Sequence, residues 1–354
     1  MQHTRDDIPT LVRGVFGHPG PLWEASLRLP DLGINAVFVD SPALDGAMIE
    51  RARAEGCHVF AEFATLNGGY GDYVAQHPEA HPIGVDGQPV APATWFMGAC
   101  PTDSGFRASR IQALRSLLET HDVDGVWMDY LHWHGQFEDP YPQLVKTCFN
   151  DCCLAAFTAW SGLDIEGATT VDKAAWVLHH APRRWEDWRV SVLVDWAREI
   201  RETVKQMRPR ALVGNYQAAW KDEDFWGARR RCLGLDFDSL APYVDVFSPM
   251  LYHVHSGMPP EYVREYVEYF CERHPIHAEA GRFPRLWPIV QAHGEPRVPA
   301  DELARVLDYG LSANSSGVMV FTSASVAGDP EKVEAVRKVY TGVADDSDHP
   351  PSRQ

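Results

Sequence analysis

The feature that most constrains the fold of this chain is an alternation of short apolar segments with longer amphipathic segments along 354 residues. The short segments are continuous apolar, β-branched runs, which is typical of strands buried on both faces of a parallel sheet. In the longer segments apolar residues recur at helical spacing, as do Trp188, Trp196 and Val204 in the longest of them. Eight such strand–helix units predict an α/β fold, the (β/α)8 TIM barrel.

The predicted elements cover most of the chain. Strands are expected at residues 11–16, 34–39, 57–62, 123–129, 211–216, 244–250, 286–291 and 317–321, and helices at 44–55, 106–119, 185–207, 260–273, 301–312 and 330–340. Long loops follow strand three (63–105) and strand four (130–184), the second with short helices near 150–160 and 170–180. Because barrel active sites are built on loops that follow strands, these two loops predict where the site lies. One barrel domain is expected over 8–342, with a disordered tail over 343–354.

The composition of the chain limits the classes of partner that it is expected to bind. With 32 basic against 49 acidic residues the net charge is −17, which argues against nucleic acid and anionic membranes as partners. No apolar run approaches the ~20 residues of a membrane span, and the N-terminus lacks a signal-peptide pattern. Seven cysteines fit reduced thiols, so a cytoplasmic location is expected. No cofactor is expected, and a homo-oligomer is left open.

Three carboxylic acids at strand ends are the predicted catalytic residues: Asp129, Glu62 and Asp40. A core strand gains nothing by ending in a carboxylate, because an unpaired buried charge costs several kcal/mol. Asp129 leads into an aromatic and histidine-rich stretch, where it could act as a nucleophile or stabilise an oxocarbenium-like centre. Alternatively, it bonds the backbone of the next loop. Asp40 could merely shape a turn, and the acidic cluster at 222–224 competes for the second role or caps a helix.

A small carbohydrate is the expected ligand. Sugar rings stack on aromatic planes and their hydroxyl groups bond polar side chains, and the chain has 12 tryptophans, several of them in predicted loops. A tryptophan under a long loop can equally fill a gap in the core. The predicted binding residues are Tyr130, His132, Trp133, Asn215, Gln217, Trp220, Tyr252, His253, Gln291 and Trp95.

Two motifs resemble a known group of proteins. The segment 124–130, DGVWMDY, resembles the strand-four motif of uncharacterised glycoside-hydrolase-like (β/α)8 barrels, and 244–252, VDVFSPMLY, is similar to the Met-x-Tyr strand that these barrels share with chitinase-type hydrolases. The resemblance covers roughly residues 10–325 and implies glycosidase activity. Chitinase-type enzymes need a glutamate proton donor where this chain has Leu131. The proton donor must therefore come from elsewhere, as glycoside hydrolysis usually requires two carboxyl groups.

Two alternatives stay open. The pairs His132/His134 and His253/His255 could hold a metal ion in a metal-dependent hydrolase, although no metal is expected. The missing glutamate also fits a carbohydrate-binding barrel without catalysis. The cysteines at 148, 152 and 153 lack the spacing of a zinc site and a second pair, so they are predicted to be buried thiols.

Overall fold

Eight parallel strands close into a barrel in the computed structural model, which describes residues 8–137, 140–274, 284–294 and 296–342. Each strand pairs with the next, and the last pairs with the first. The (β/α)8 prediction is confirmed, while the predicted tail lies outside the described residues. The strands are β1 Val12–Phe16, β2 Ala36–Asp40, β3 His58–Ala64, β4 Gly125–Asp129, β5 Leu212–Ala218, β6 Val246–Leu251, β7 Ile289–Gln291 and β8 Gly317–Phe321.

A helix follows every strand. Asp45 and Asp103 begin two of these helices as N-caps, because each carboxylate accepts a hydrogen bond from the backbone N–H three residues later. The six predicted helices are confirmed within a few residues, whereas α1 and α5 are too short to show a periodic pattern. The helices are α1 Gly20–Glu24, α2 Gly46–Ala54, α3 Ser104–Thr120, α4 Pro182–Met207, α5 Phe237–Leu240, α6 Glu261–Arg273, α7 Ala300–Gly310 and α8 Pro330–Gly342.

The two long loops lie where the sequence predicts them. The β3 loop (residues 65–103) contains a two-stranded antiparallel pair, Asn67–Gly68 with Met97–Gly98. The β4 loop (residues 130–181) carries the helices Asp151–Ser161 and Thr170–His180. Both loops leave the C-terminal ends of adjacent strands, so together they build one side of the barrel mouth.

Large aromatic side chains fill the barrel below its mouth. Phe38 stacks on Phe60 with ring centroids 4.8 Å apart, and Trp127 stacks on Trp287 at 5.5 Å with the planes 15° from parallel. All four are fully buried. Gly214 leaves room for this packing, because a Cβ there would lie 2.0 Å from the Trp127 ring. This aromatic plug fills the barrel interior directly below the mouth.

The second, larger core lies between the strands and the helices, and Trp188 and Trp196 of α4 belong to it. In the described part of the chain, no helix is long and apolar enough to cross a membrane.

The seventh strand departs from its predicted form. Instead of one strand over 286–291, the structure has the short segment Arg285–Leu286, a break, and then β7. Pro288 lies in the break and has no backbone N–H for the strand ladder. Only Ile289 and Val290 of β7 pair with β6, which is the smallest number of paired residues between neighbouring strands of the barrel.

Candidate active site

Strand alternation brings three carboxyl groups into the mouth of the barrel. Asp40, Glu62 and Asp129 lie on the same strand faces as Phe38, Phe60 and Trp127, two residues further toward the C-terminal end of each strand. Asp40 pairs in register with Glu62, and Asp129 pairs with Ala64. The carboxyl groups therefore sit directly above the aromatic plug.

The surroundings of Glu62 favour its protonated form. Glu62 is only 6% exposed to solvent. Burial is the largest cause that raises the pKa of Glu62 well above its usual range, and the charges of Asp129 and Asp40 raise it further, while Arg110 lowers it in part. A raised pKa favours the protonated carboxyl group, which is the form that a general acid needs.

Asp40 lies at the rim beside Glu62. Partial withdrawal from water raises the pKa of Asp40, and the hydrogen bond with Glu62 works in the opposite direction. A hydrogen bond that favours the charged form of Asp40 means that Glu62 donates and Asp40 accepts. The raised pKa of Glu62 and this hydrogen bond both favour a proton on Glu62 that points at Asp40.

The backbone around Asp129 fixes the position of its side chain. Oδ1 of Asp129 accepts a hydrogen bond from the Tyr130 N–H at 2.7 Å, and its carbonyl accepts from the Thr65 N–H at 2.9 Å and the Thr65 hydroxyl at 2.6 Å. Tyr130 has φ 54°, a left-handed conformation that costs about 1–2 kcal/mol for a residue with a side chain. Strain of this kind persists where the surrounding structure enforces it, often at functional sites.

The carboxyl groups open into a cavity of about 830 Å³. Its size is typical of sites for small molecules. Trp95 of the β3 loop is 65% exposed at the rim, and its ring stands nearly perpendicular to that of Tyr130 at 5.6 Å. The full lining is Phe16, Asp40, Pro42, Ala43, Glu62, Ala64, Gly68, Gly69, Thr94, Trp95, Asp129, Tyr130, Gln136, Met250, Tyr252, His255, His293 and Phe321.

The opposite side of the cavity carries aromatic and histidine side chains. The ring of Tyr252 lies 5.1 Å from that of Phe321 and 6.2 Å from that of His293. Burial lowers the pKa of His293, despite the hydrogen bond with the backbone of Phe321. This side therefore adds a neutral imidazole and apolar ring faces to the cavity.

Six of the residues predicted from the sequence line this cavity: Asp40, Glu62, Asp129, Tyr130, Tyr252 and Trp95. Trp220 lines a neighbouring cavity of about 290 Å³ that shares Met250 and Tyr252 with the first. Whether any of these residues binds a ligand stays a prediction.

The histidine and tryptophan that follow Tyr130 do not reach the cavity. His132 is buried, its Nδ1 donates to the Trp133 carbonyl at 2.8 Å, and burial lowers its pKa to about 4. Trp133 is fully buried, and its Nε1 donates to the Arg189 carbonyl at 3.1 Å. The expectation that these two side chains line the site is corrected, because the β4 loop turns both into the core.

Asn215 and Gln217 are also displaced from the predicted position. Strand β5 extends to Ala218, so both residues lie inside the strand and not after it. Tyr216 points into the barrel, and alternation therefore places Asn215 and Gln217 on the outer face, where Gln217 donates to Asn215. Both are buried away from the mouth.

Gln291 and His253 hold other elements in place. Oε1 of Gln291 accepts from the backbone N–H of His255, which itself lines the cavity, at 3.1 Å. His253 is buried, and its Nε2 donates to Glu302 of α7 at 2.9 Å. Neither side chain lines the cavity.

The histidine pairs do not form a metal centre among the described residues, since no histidine belongs to any cluster of three potential ligand atoms there. His134 is used structurally, because its Nε2 donates to the Ala91 carbonyl at 3.0 Å and its Nδ1 accepts from the Gly98 N–H. In the acidic cluster, Asp222 pairs with Arg229 and Arg273. The negative charge of Asp222 is therefore compensated by these two arginines, outside the barrel mouth.

One residue that acts on the carboxyl groups, Arg110, was not predicted from the sequence. Arg110 of α3 donates to the Ala64 carbonyl at 2.7 Å, and its guanidinium lies 4.6 Å from the Phe63 ring centroid. Its charge is the one that lowers the pKa of Glu62. On the sequence Arg110 looks like an ordinary polar residue of an amphipathic helix, and only the fold shows which carboxyl group it faces.

Comparisons with known proteins bear on the fold. No protein-family model matches the sequence, and neither does any curated protein. Among solved structures, the glycoside hydrolase domain of PgaB from Bordetella bronchiseptica matches with a TM-score of 0.69 at 14% identity, covering 93% of this chain and 99% of that one. The catalytic domain of β-amylase from Paenibacillus polymyxa matches with a TM-score of 0.60 at 9% identity, covering 96% and 100%.

A third match is the β-galactosidase of the haloarchaeon Halorubrum lacusprofundi, with a TM-score of 0.65 at 12% identity, covering 94% of this chain and 58% of that enzyme. At such low identity these matches show the fold alone. The chain therefore shares its barrel architecture with the catalytic domains of several glycoside hydrolases.

Proposed function

We propose that this protein cleaves the glycosidic bond of a small oligosaccharide or glycoconjugate, by hydrolysis or by transfer to another acceptor. The observation that carries the proposal is the group of three carboxyl side chains in the mouth of the barrel, one of which, Glu62, has a raised pKa. Most glycoside hydrolases use one protonated and one ionised carboxyl group on either side of the bond. The shared architecture of the matched hydrolases supports the same class of reaction.

The environments of the carboxyl groups suggest their roles. Glu62 gives its proton to the glycosidic oxygen as the bond to the anomeric carbon breaks. Asp129 faces the positive charge that develops on the sugar ring and either bonds to the anomeric carbon or stabilises it electrostatically. Asp40 accepts the hydrogen bond of Glu62 and helps to keep the proton on it through the repulsion between their charges.

The aromatic side chains would hold the sugar. Trp95 presents an exposed ring face at the rim, and Tyr252 lines the far side of the same cavity. Aromatic planes of this kind pack against the C–H faces of sugars, and Tyr and Trp also offer a hydrogen-bonding group.

The test is hydrolysis of a panel of α- and β-nitrophenyl glycosides by the wild type and by Asp129→Asn. We expect turnover of at least one sugar and a loss of about 10³-fold or more in the variant, because the charge that stabilises the transition state is removed. Asp308→Asn, on the outer helix α7, is the matched control and should retain full activity. Unchanged turnover in Asp129→Asn would contradict the proposal.

A second candidate, a barrel that binds carbohydrate without cleaving it, is favoured by one observation. Leu131 takes the place of the chitinase-type glutamate and is buried at 2% exposure. Calorimetric titration with oligosaccharides separates the two functions. Saturable binding that Trp95→Ala weakens, with no turnover on any glycoside, would support the binding barrel and contradict the enzyme.

A further inference from the structure

Four cysteine side chains from the two long loops meet in one place. Cys100 lies near the end of the β3 loop, and Cys148, Cys152 and Cys153 lie in the β4 loop. The sulfur atoms of Cys100, Cys148 and Cys153 are within 4.8 Å of one another, and all three residues are buried. The sulfur of Cys152 lies 3.4 Å from that of Cys100. We call these four residues the thiol cluster.

The distances in the thiol cluster suit a tetrahedral metal ion. A zinc ion bound to four thiolates at about 2.3 Å holds the sulfur atoms about 3.8 Å apart. The sulfur of Cys100 lies 3.3 Å from that of Cys153 and 3.4 Å from that of Cys152, and the sulfur atoms of Cys100, Cys148 and Cys153 all lie within 4.8 Å of one another. Three sulfur atoms are therefore already grouped near the tetrahedral spacing, and side-chain rotation, above all at Cys152, would bring in the fourth. The contacts are far longer than the ~2.05 Å of a disulfide bond.

Polar groups around the thiol cluster point at the sulfur atoms. The Ile83 N–H donates to the sulfur of Cys148 at 3.4 Å, and the Thr102 hydroxyl lies 3.3 Å and 3.1 Å from the sulfur atoms of Cys152 and Cys153. Hydrogen bonds of this kind orient thiolate ligands and moderate their negative charge. An ordinary apolar core would not need them.

A buried cation also lies near the cluster. Arg189 of α4 is only 3% exposed, and its charge interacts with Cys153 and Cys148. Its guanidinium donates to the carbonyl groups of Arg231 and Cys232, which fixes its position. A zinc ion with four thiolates has a net charge of −2, so a fixed neighbouring cation makes its burial less costly.

We propose that the thiol cluster binds one Zn²⁺ ion, with Cys100, Cys148 and Cys153 as ligands and Cys152 as the fourth. Binding replaces four S–H bonds by four Zn–S bonds and releases four protons, with no change of oxidation state. All four positions are filled by protein, which is the arrangement of a structural zinc site.

The proposed ion ties together the two loops that form one wall of the cavity. Trp95 belongs to the β3 loop, and Tyr130 and Gln136 belong to the β4 loop. The proposed site could not be predicted from the sequence, because the cysteines at 148, 152 and 153 have no second pair nearby and Cys100 lies 53 residues before Cys153.

The first test is the zinc content of the full chain, purified without chelator under reducing conditions and measured by inductively coupled plasma mass spectrometry. We expect about one zinc per chain in the wild type and less than about a tenth of that in Cys100→Ser and Cys148→Ser. Cys271→Ser, on helix α6 away from the cluster, is the matched control and should keep its zinc.

A second measurement, made on the wild type, tests the proposal even if the variants do not fold. X-ray absorption of the wild type should show zinc with sulfur neighbours at about 2.3 Å, and Co²⁺ in place of zinc should give the visible spectrum of a tetrahedral thiolate complex. Iron in place of zinc, nitrogen and oxygen ligands alone, metal-free thiols after incubation with Zn²⁺, or a disulfide found by mass would each overturn the proposal. None of these readouts depends on glycosidase activity.

Discussion

The two halves of the barrel mouth keep ionisable groups neutral in opposite ways. In the acidic half, formed by β2 to β4, burial and like charges raise the pKa of Glu62, which favours the protonated carboxyl group. In the aromatic half, formed by β6 to β8 and the residues after them, burial lowers the pKa of His293, so that the imidazole gives its proton up. The protonated form is thus favoured for Glu62 on one side of the cavity and disfavoured for His293 on the other.

This difference assigns separate tasks to the halves under the proposed function. Proton donation and charge stabilisation belong to the acidic half, which the long β3 and β4 loops support. The aromatic half, with Tyr252 and Phe321, offers ring faces and contributes to binding. Substitutions in the two halves should therefore differ in kind as well as in size.

The largest difference is expected in turnover. Glu62→Gln should lower kcat by about 10²–10⁴-fold for glycosides whose leaving group needs a proton, since it removes the proposed general acid. The loss should be much smaller for dinitrophenyl glycosides, whose leaving group departs without protonation. His293→Gln, in the aromatic half, should lower kcat by less than about tenfold. Equal losses of Glu62→Gln on both kinds of substrate would show that Glu62 is not the donor.

The second difference concerns stability against pH. The native state holds the Glu62 proton more tightly than the unfolded chain does, so the free energy of unfolding falls as the pH rises above about 4.3 toward the raised pKa. Glu62→Gln removes this loss, so it should gain stability over the wild type as pH rises, by about 1.4 kcal/mol per unit of pKa difference. Urea denaturation at pH 5 and pH 8 measures the change.

His293→Gln should show the opposite dependence. Because the pKa of His293 is lowered in the folded state, the wild type loses stability as the pH falls below about 6.5, and the variant does not. If both variants drifted in the same direction with pH, the contrast between the halves would be wrong.

A third, smaller contrast separates the two loop tryptophans at the mouth. Trp95→Ala should raise KM about threefold to tenfold with little change in kcat, since an exposed ring that stacks on a ligand contributes roughly 0.5–1.5 kcal/mol. Trp220 is 8% exposed and packs on Phe225 with ring centroids 4.7 Å apart, so Trp220→Ala should mainly lower the melting temperature. Steady-state kinetics and thermal melts of both variants test this.

The smallest expected effect lies within the acidic half. Arg110→Met removes the charge that lowers the pKa of Glu62, so the alkaline limb of kcat/KM should move upward by about one pH unit or less. Asp40→Asn removes a charge that raises this pKa, so its alkaline limb should move downward. A pH profile in which both variants move the same way would contradict this electrostatic account of Glu62.

Much of the fold could be predicted from the sequence because the barrel strands are apolar and the larger helices carry apolar residues at helical spacing over most of their length. The acidic mouth could be predicted too, since Asp40, Glu62 and Asp129 lie at or next to the ends of predicted strands, although β3 itself continues to Ala64. Asn215 and Gln217 were misplaced because β5 runs two residues beyond its predicted end, and side chains in a strand alternate between its faces.

Other features depend on contacts between distant parts of the chain. Trp133 and Trp95 look alike in sequence, as single tryptophans in polar loops, yet one is fully buried and the other is 65% exposed. The difference arises from the path of the β4 loop over α4, which no local pattern encodes. The meeting of Cys100 with Cys148 depends on two separate loops in the same way.

The stacked indoles of the aromatic plug have an optical consequence. Trp127 belongs to β4 and Trp287 lies just before β7, so the pair bridges strands from different parts of the barrel circumference. Two indole rings 5.5 Å apart are close enough for their electronic transitions to couple, so this pair should contribute to the circular dichroism spectrum of the folded protein. Strand β7 pairs with β6 through only two residues. If these strands separate, the loss of the circular dichroism signal from Trp127 and Trp287 would detect the opening of the barrel without an added label.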